Sequence, residues 1–571
     1  MRAKRFTIFF SICLVSLLFA ACGNRAEPQG PETSTTLTSG AIVPLGVTCP
    51  NEPWDPFGRF CETVYVTQTR ILAAWMGFDE EDCENDNWWT RTYYEQLNVR
   101  LTNLFTAPMW GPDFDMIMNL AFATGNLPDV MPLYTSLAVR AIEGNLVMDI
   151  TDIFERYASD QVKEIFATDP AALEVWSVDG RLMGLTAPVG GDPDWPFFWV
   201  PQSMLDGFNG GVIPSTLAEI IQLARWIKDQ TGAYAIGLDN RLYQLNHLLP
   251  MFGATNEWIA RDGEMLWGRI QPEMRDVWAQ LAEWYRKGLL AADFSARADE
   301  DVVADFAHRR FGLLPGGVHI PNSSAGRTFI DQNPYDDLVA IPLMRADGKP
   351  LTTVTGAGYN NVLMISARAK NPQAIMRMFN LGTAISNDVN RPDFVTDYQF
   401  NTSPGGNMNF WNRMGTGTGY VTDTRTQYNR AIAALNAFLS GSDGSDLVNA
   451  RAFGVLENFQ RITNWINYGT SANAWEGNWA MWSMLLGAES QVYAFRMRDE
   501  GRITATPRWG VETSAEAEFG ATLHDRFIEF ATTAIINNDV DRQFNNWVQF
   551  FYNNGGHRIN AEVAEWWAAN R

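Results

Sequence analysis

The stretch Ala123-Thr124-Gly125-Asn126-Leu127-Pro128-Asp129-Val130 decides how the chain is read. Ahead of it, residues 113–124 (DFDMIMNLAFAT) carry apolar side chains at helical spacing, and Gly125 is a natural helix stop. Asn126, Pro128 and Asp129 are turn formers, and the apolar run that begins at about Val130 reads as a strand. Upstream, residues 63–70 (TVYVTQTR) are rich in β-branched side chains and read as a first strand, residues 93–97 look helical, and residues 99–107 read as a second strand. Strands and helices in alternation predict a parallel α/β layer with right-handed connections.

Further signals lie outward from this stretch. Gly144-Asn145-Leu146-Val147-Met148-Asp149-Ile150-Thr151 follows about twenty residues on, and residues 178–185 (VDGRLMGL) read as a hairpin. Residues 213–219 (IPSTLAE) open a helix, with Thr216 as N-cap and Glu219 completing a capping box. Later come residues 284–290 (WYRKGLL), 311–314 (FGLL), 370–374 (KNPQA) and 555–563 (GGHRINAEV). In this order the segments resemble the "ASGDLPD", "GLLxDLT", "DGKxYGLP", "PxTLDE", "xWYxEGLI", "GKxGI", "KNPEAA" and "GGxxIxxEVN" pieces of the large solute-binding lipoproteins of carbohydrate ABC importers, relatives of maltose-binding protein. The resemblance implies an α/β fold of the type II periplasmic-binding-protein kind, with two lobes joined by strand crossovers. It places residues 46–186 and 360–440 in lobe 1 and residues 187–359 and 441–571 in lobe 2. Two departures stand out. Residues 199–205 (WVPQSML) replace the family's Arg-x-Asp-Trp-Leu stretch, and residues 229–234 (DQTGAY) lack the alternating oxygens of its calcium loop, so neither calcium nor any other metal or cofactor is expected.

The N-terminus carries its own message. Arg2, Lys4 and Arg5 precede an apolar run over residues 6–18, which is too short for an ordinary membrane span and reads as a secretory signal. Phe19-Ala20-Ala21-Cys22 resembles a lipobox, so residues 1–21 are read as a signal peptide and Cys22 as the lipidated first mature residue; an ordinary signal peptide with a chance cysteine is the alternative. Residues 22–45, rich in Gly, Pro, Ser, Thr and Glu, read as a flexible tether with a reach of roughly 25 Å.

Composition sets limits. A chain of 571 residues with 46% hydrophobic residues exceeds one average domain and is globular. A formal charge of −22 argues against nucleic acid or anionic lipid as a partner, leaving the lipid anchor as the expected link to the membrane. Once Cys13 and Cys22 are set aside, Cys49, Cys61 and Cys83 leave room for one disulfide and one free thiol, in a pairing that spacing does not assign. They do not suit zinc, since no CxxC is present and no His lies between them. The acidic run of residues 79–86 (DEEDCEND) reads as a solvated loop. The 22 Trp residues suit core packing, and also stacking against the flat apolar faces of sugar rings.

In the implied architecture, loops at the carboxyl ends of strands line a cleft between the lobes. This nominates Trp75 after the first strand, Tyr134 and Thr135 after the strand beginning near Asp129, Asp192, Asp194 and Trp195 after the first crossing, and Tyr359 and Asn360 at the return crossing. Carboxylates and amides there would bind vicinal hydroxyls, and aromatic planes would cover the ring. Each residue has an ordinary alternative: capping for the Asp residues, burial for Trp195. Trp411, Trp475, Trp479 and Trp509 are candidates for outer stacking subsites. No GxSxG, HExxH or P-loop is present, and the five His residues form no paired pattern, so no catalytic residue is nominated. The resemblance therefore implies a non-enzymatic, monomeric binding protein that delivers a sugar or oligosaccharide to separate ABC permease subunits on the outer face of the cell membrane. A surface-anchored glycoside hydrolase or a polysaccharide-binding adhesin is the competing expectation.

Overall fold

The computed structural model describes residues 54–72, 83–108, 112–186, 188, 194–356, 361–387, 424–442, 478–508 and 512–570. Cys22, the signal and tether segments, Cys49, Trp75, Asp192, Tyr359, Asn360, Trp411, Trp475 and Trp509 lie outside the described residues.

The strands, in chain order, are β1 (Val64–Leu72), β2 (Val99–Pro108), β3 (Val130–Tyr134), β4 (Ser177–Val178), β5 (Arg181–Leu182), β6 (Phe197–Pro201), β7 (Trp258–Arg261), β8 (Glu264–Trp267), β9 (Leu314–Gly316), β10 (Leu338–Pro342), β11 (Thr353–Thr355), β12 (Asn361–Ile365) and β13 (Ile503–Ala505). A first sheet runs in the order β12-β3-β1-β2, with β1 parallel to both β2 and β3 and β12 antiparallel to β3. The helix Pro112–Thr124 makes the crossover from β2 to β3, as the spacing of its apolar residues predicts. Side chains alternate along each strand: Met131, Leu133, Val362 and Met364 enter one core with Phe114 and Met118 from that helix, whereas Val130, Leu363 and Ile365 enter a second with Ile375 and Phe379. Both faces are thus covered, which is why these strands read as continuous apolar runs.

Asp129 does more than turn the chain. Its Oδ2 accepts from the Thr67 backbone N–H and hydroxyl, both at 2.9 Å, fixing β1 beside the start of β3. Asp149 accepts from the Thr151 N–H at 3.0 Å and hydroxyl at 2.6 Å, and the Thr151 oxygen accepts from the Leu182 N–H at 2.9 Å, tying this turn to the β4–β5 hairpin. Cys61 and Cys83 are each disulfide-bonded.

A second sheet, β10-β6-β9, is antiparallel at both pairings and holds an entirely buried β6, Phe-Phe-Trp-Val-Pro. Ile236 bridges in parallel to Leu290 and Leu313, extending this layer. The helix Leu217–Thr231 carries the expected capping box, with the Glu219 N–H donating to Thr216 Oγ1 at 3.2 Å and the Thr216 N–H donating to Glu219 Oε2 at 3.2 Å. The helices Pro272–Arg286, Ser514–Asn537 and Val540–Phe551 share this core, with Trp278 wedged between Phe527 and Phe544 at ring distances of 5.6 Å. Gly555, at φ +100°, separates Val540–Phe551 from the last helix, His557–Asn570; a Cβ there would stand 2.2 Å from Phe519. Glu562 then reaches back to accept from the Ala515 N–H at 2.8 Å, capping Ser514–Asn537. No described helix is long and apolar enough to cross a membrane.

Trp479 is buried and donates its indole N–H to Asp337 Oδ1 at 3.1 Å, so it anchors the C-terminal segment to β10 instead of offering a stacking face. Asp337 Oδ1 also accepts from the Leu338 N–H at 2.8 Å. Burial, reinforced by neighbouring Asp336, pushes the Asp337 carboxyl up to about 6. Between about pH 4 and pH 6 the folded protein therefore holds a proton that the unfolded chain lacks, and stability falls as pH rises through that window. The loss is complete above pH 6 and amounts to at most about 3 kcal/mol. Asp337→Asn keeps the Oδ1 acceptor and removes the charge, so its melting temperature should exceed wild type at pH 7.5 and exceed it by much less at pH 4.5. Thermal melts across that range check this, and equal melting temperatures at both values would contradict it.

Candidate functional site

Ile236 and β9 run in the same direction, and β6 runs opposite to β9. The carboxyl ends of the first two and the amino end of β6 therefore meet at one edge of the second sheet. A cavity of about 1000 Å³ opens at this edge. Its walls come from the segment after Ile236 (Asp239 to His247), β9 and the segment after it (Leu314 to Ala325), the residue Asp194 ahead of β6, and Phe527 and Ile528 of the helix Ser514–Asn537. A second cavity of about 330 Å³ shares Asp194, Asn246, His247, Asn256 and Arg269 with it and continues to Thr353–Thr355.

The segment after Ile236 is built to face solvent. Asp239 Oδ1 accepts from the N–H groups of Arg241 and Tyr243, at 3.1 and 2.8 Å, and Gln244 accepts from the Asp239 N–H at 2.9 Å. This closed turn leaves Tyr243 62% exposed on the cavity wall, edge-on to His247 at a ring distance of 6.2 Å. An aromatic ring with one open face is the feature that stacking on a sugar ring requires. Asp194 Oδ1 accepts from the Val318 N–H at 3.0 Å, and its Oδ2 lies 4.0 Å from His247 Nδ1. Burial pulls His247 below the usual histidine range, and Asp194 works against that. Arg269 donates from Nε to Asn256 Oδ1 at 3.1 Å and from Nη1 to His524 Nδ1 at 3.0 Å, and lies over the Phe527 ring at 4.9 Å. Arginine has no acceptor, so His524 Nδ1 is the acceptor and its proton sits on Nε2.

Of the nominated residues that are described, Asp194 stands in this cavity. Trp195 is 2% exposed and packs edge-on against Tyr493 at 5.7 Å; it begins the core strand β6 and supports the wall behind the cavity, so of the two outcomes open to it, burial is the one observed. Tyr134 and Thr135 sit at the carboxyl end of β3, where Tyr134 packs on Phe114 and pairs in register with Asn361 of β12. They line neither cavity. Sequence reading missed Tyr243, His247, Asn256, Arg269, His319 and His524. Three of the chain's five His residues thus meet in one cavity although no two are close in sequence. The strand ahead of Tyr243 is only a pair of bridges at Ile236, too short to leave a periodic signal, and Arg269 and His524 are brought together across 255 residues. Among the described residues no group of three or more His, Cys, Asp or Glu side chains is arranged to hold a metal ion.

No family model matches the sequence, and no curated protein matches it. Solved structures do match. Alginate-binding protein AlgQ2, solved without calcium ion, aligns with 90% of this chain and 99% of its own at a TM-score of 0.59 and 13% identity. The chain has the two-lobed α/β fold of ABC-transporter solute-binding proteins. The S. pneumoniae ABC-transporter substrate-binding protein FusA, in complex with kestose, covers 88% of this chain and 99% of its own at a TM-score of 0.60 and 11% identity. An HMO-binding solute-binding protein associated with an ABC transporter of Bifidobacterium longum infantis covers 88% and 98% at a TM-score of 0.56 and 13% identity. In a solute-binding fold, the edge where strands end in a cavity is the expected place for a ligand.

The Asp194–His247 contact makes a direct prediction. Asp194 favours the charged imidazole, so Asp194→Asn should move the His247 titration further down in pH, read by NMR of ring-labelled histidine. An unmoved titration would show that the carboxylate does not act on this ring.

Proposed function

We propose that this chain is a non-enzymatic substrate-binding protein that captures a sugar or oligosaccharide between two lobes and delivers it to an ABC permease. The observation that carries the reading is the cavity of about 1000 Å³ at the strand ends of the second sheet, which combines an open Tyr243 face with Asp194, Asn246, Asn256 and Arg269 as hydrogen-bonding groups. That is the pairing of apolar plane and polar fork that a pyranose ring needs. Proteins of this fold include one that binds alginate, one in complex with kestose and one that binds HMO.

In this reading lobe 1 comprises residues 46–186 and 360–440, and lobe 2 residues 187–359 and 441–571. Tyr134 and Thr135, together with Trp75, Asp192, Tyr359, Asn360, Trp411 and Trp475, contribute from the opposite wall and the outer subsites. Ligand stabilises the closed arrangement by its differential affinity for the closed and open states. The mature protein is a monomer that begins at lipidated Cys22 and works at the outer face of the membrane on its 22–45 tether.

Titration with a panel of neutral and acidic oligosaccharides, followed by Trp emission and melting temperature, should give saturable shifts with no new reducing ends. Tyr243→Ala should weaken the best ligand about three- to tenfold, the range expected for one aromatic contact. Accumulating reducing ends would sink the transport reading in favour of hydrolysis. A Cys22→Ala form should bind equally well but leave the membrane fraction, and retention there would contradict the anchor.

A further inference from the structure

The cavity holds two arginines, Arg241 and Arg269, that make no close ion pair among the described residues. Elsewhere around the same core, buried Arg508 meets Glu516 at 2.7 Å and partly exposed Arg309 meets Asp336 at 2.7 Å. Arg241 and Arg269 line the large cavity, yet neither has a carboxylate oxygen within 4.0 Å among the described residues. This occurs in a chain with 65 acidic and 43 basic residues, where a partner is statistically easy to supply.

Arg269 is the more telling of the two. Its guanidinium is wedged over Phe527 and held by Asn256 and His524, both neutral contacts. Burial pulls its pKa down to about 10, with Glu257 opposing that from beyond contact distance. His524, fixed with its proton on Nε2, is pushed below the usual histidine range by burial and by Arg269 and Arg241. A half-buried cation without a carboxylate in contact is partly desolvated, and an anion that arrives with the ligand offsets that cost. Four acids share the cavity: Asp194 faces His247, Asp239 accepts two backbone N–H groups and attracts Arg241 electrostatically, and Asp299 is pushed above the usual carboxylate range by burial and by neighbouring Asp239 and Glu300.

We propose that the corner formed by Arg241, Arg269 and His524 is a subsite for the carboxylate of an acidic sugar unit, a hexuronate, within the saccharide. The planar guanidinium matches a carboxylate in a two-pronged pair, with the histidine N–H as a third donor. This rests on the saccharide reading given above and narrows it to acidic glycans.

The test compares hexuronate trimers of the gluco, galacto and manno series with their methyl esters, which keep the shape and remove the charge, and with the neutral hexose trimers. Calorimetry on the full-length protein at pH 7 should show at least one acid binding tenfold or more tighter than its ester. Arg269→Gln should reduce that acid-to-ester ratio to threefold or less. Arg241→Gln, at an exposed side chain where folding is not at stake, should also reduce it, and added salt should lower the wild-type ratio. Neutral trimers bound as tightly as any acid would overturn the carboxylate subsite while leaving the saccharide reading intact. An acid preference that survives in both variants would overturn the assignment to this corner. Failure of every saccharide to bind would remove both the subsite and the reading on which it rests.

Discussion

Two backbone hydrogen bonds hold the molecule's plan together. Leu185 donates to the Leu363 carbonyl at 2.9 Å, Leu363 donates back at 2.8 Å, and the Thr186 hydroxyl adds a third bond to the Asn361 carbonyl at 2.6 Å. The chain leaves the first sheet at Leu185 and returns to it at Leu363, so this pair closes the sheet where the chain departs towards β6 and comes back. Gly184 makes the approach possible, because a Cβ there would stand 2.5 Å from Val362 and 3.0 Å from the Leu363 carbonyl.

The second sheet explains where the aromatic residues go. Trp199, Trp278, Trp284, Trp479 and Trp547 are fully buried, and several of their ring contacts join helices far apart in sequence. The exposed ring in the cavity is a tyrosine, held outward by the Asp239 turn. A rich supply of Trp therefore stabilises the scaffold, and the stacking face comes from a residue that composition did not single out. Energetically this is reasonable: Trp buries the most area where packing is complete on all sides, whereas Tyr tolerates water on one face.

The motifs legible in the sequence are mostly structural in the fold. Asp129 ties two strands, Asp149 and Thr151 fasten a turn to a hairpin, Glu219 closes a capping box, Glu562 caps a neighbouring helix, and Gly555 permits a left-handed kink. Each satisfies backbone groups at the end of an element, within a few residues or at a fixed packing distance, and such constraints leave short, recognisable patterns. The same locality made β1, β2 and the helix Pro112–Thr124 readable to within about two residues.

The sequence by itself determined the α/β class, the parallel run of β1, β2 and β3, the capped helices and the likeness to solute-binding proteins, because these rest on periodicity, turn chemistry and short-range caps. Tertiary structure alone decided that Cys61 and Cys83 are both disulfide-bonded, that Trp195 and Trp479 are core, and that Tyr243, His247, Arg269 and His524 share one cavity. The physical reason is distance along the chain: a cavity is assembled from the ends of elements that meet only after folding. A guanidinium that finds an imidazole 255 residues away leaves no mark on either neighbourhood in the sequence.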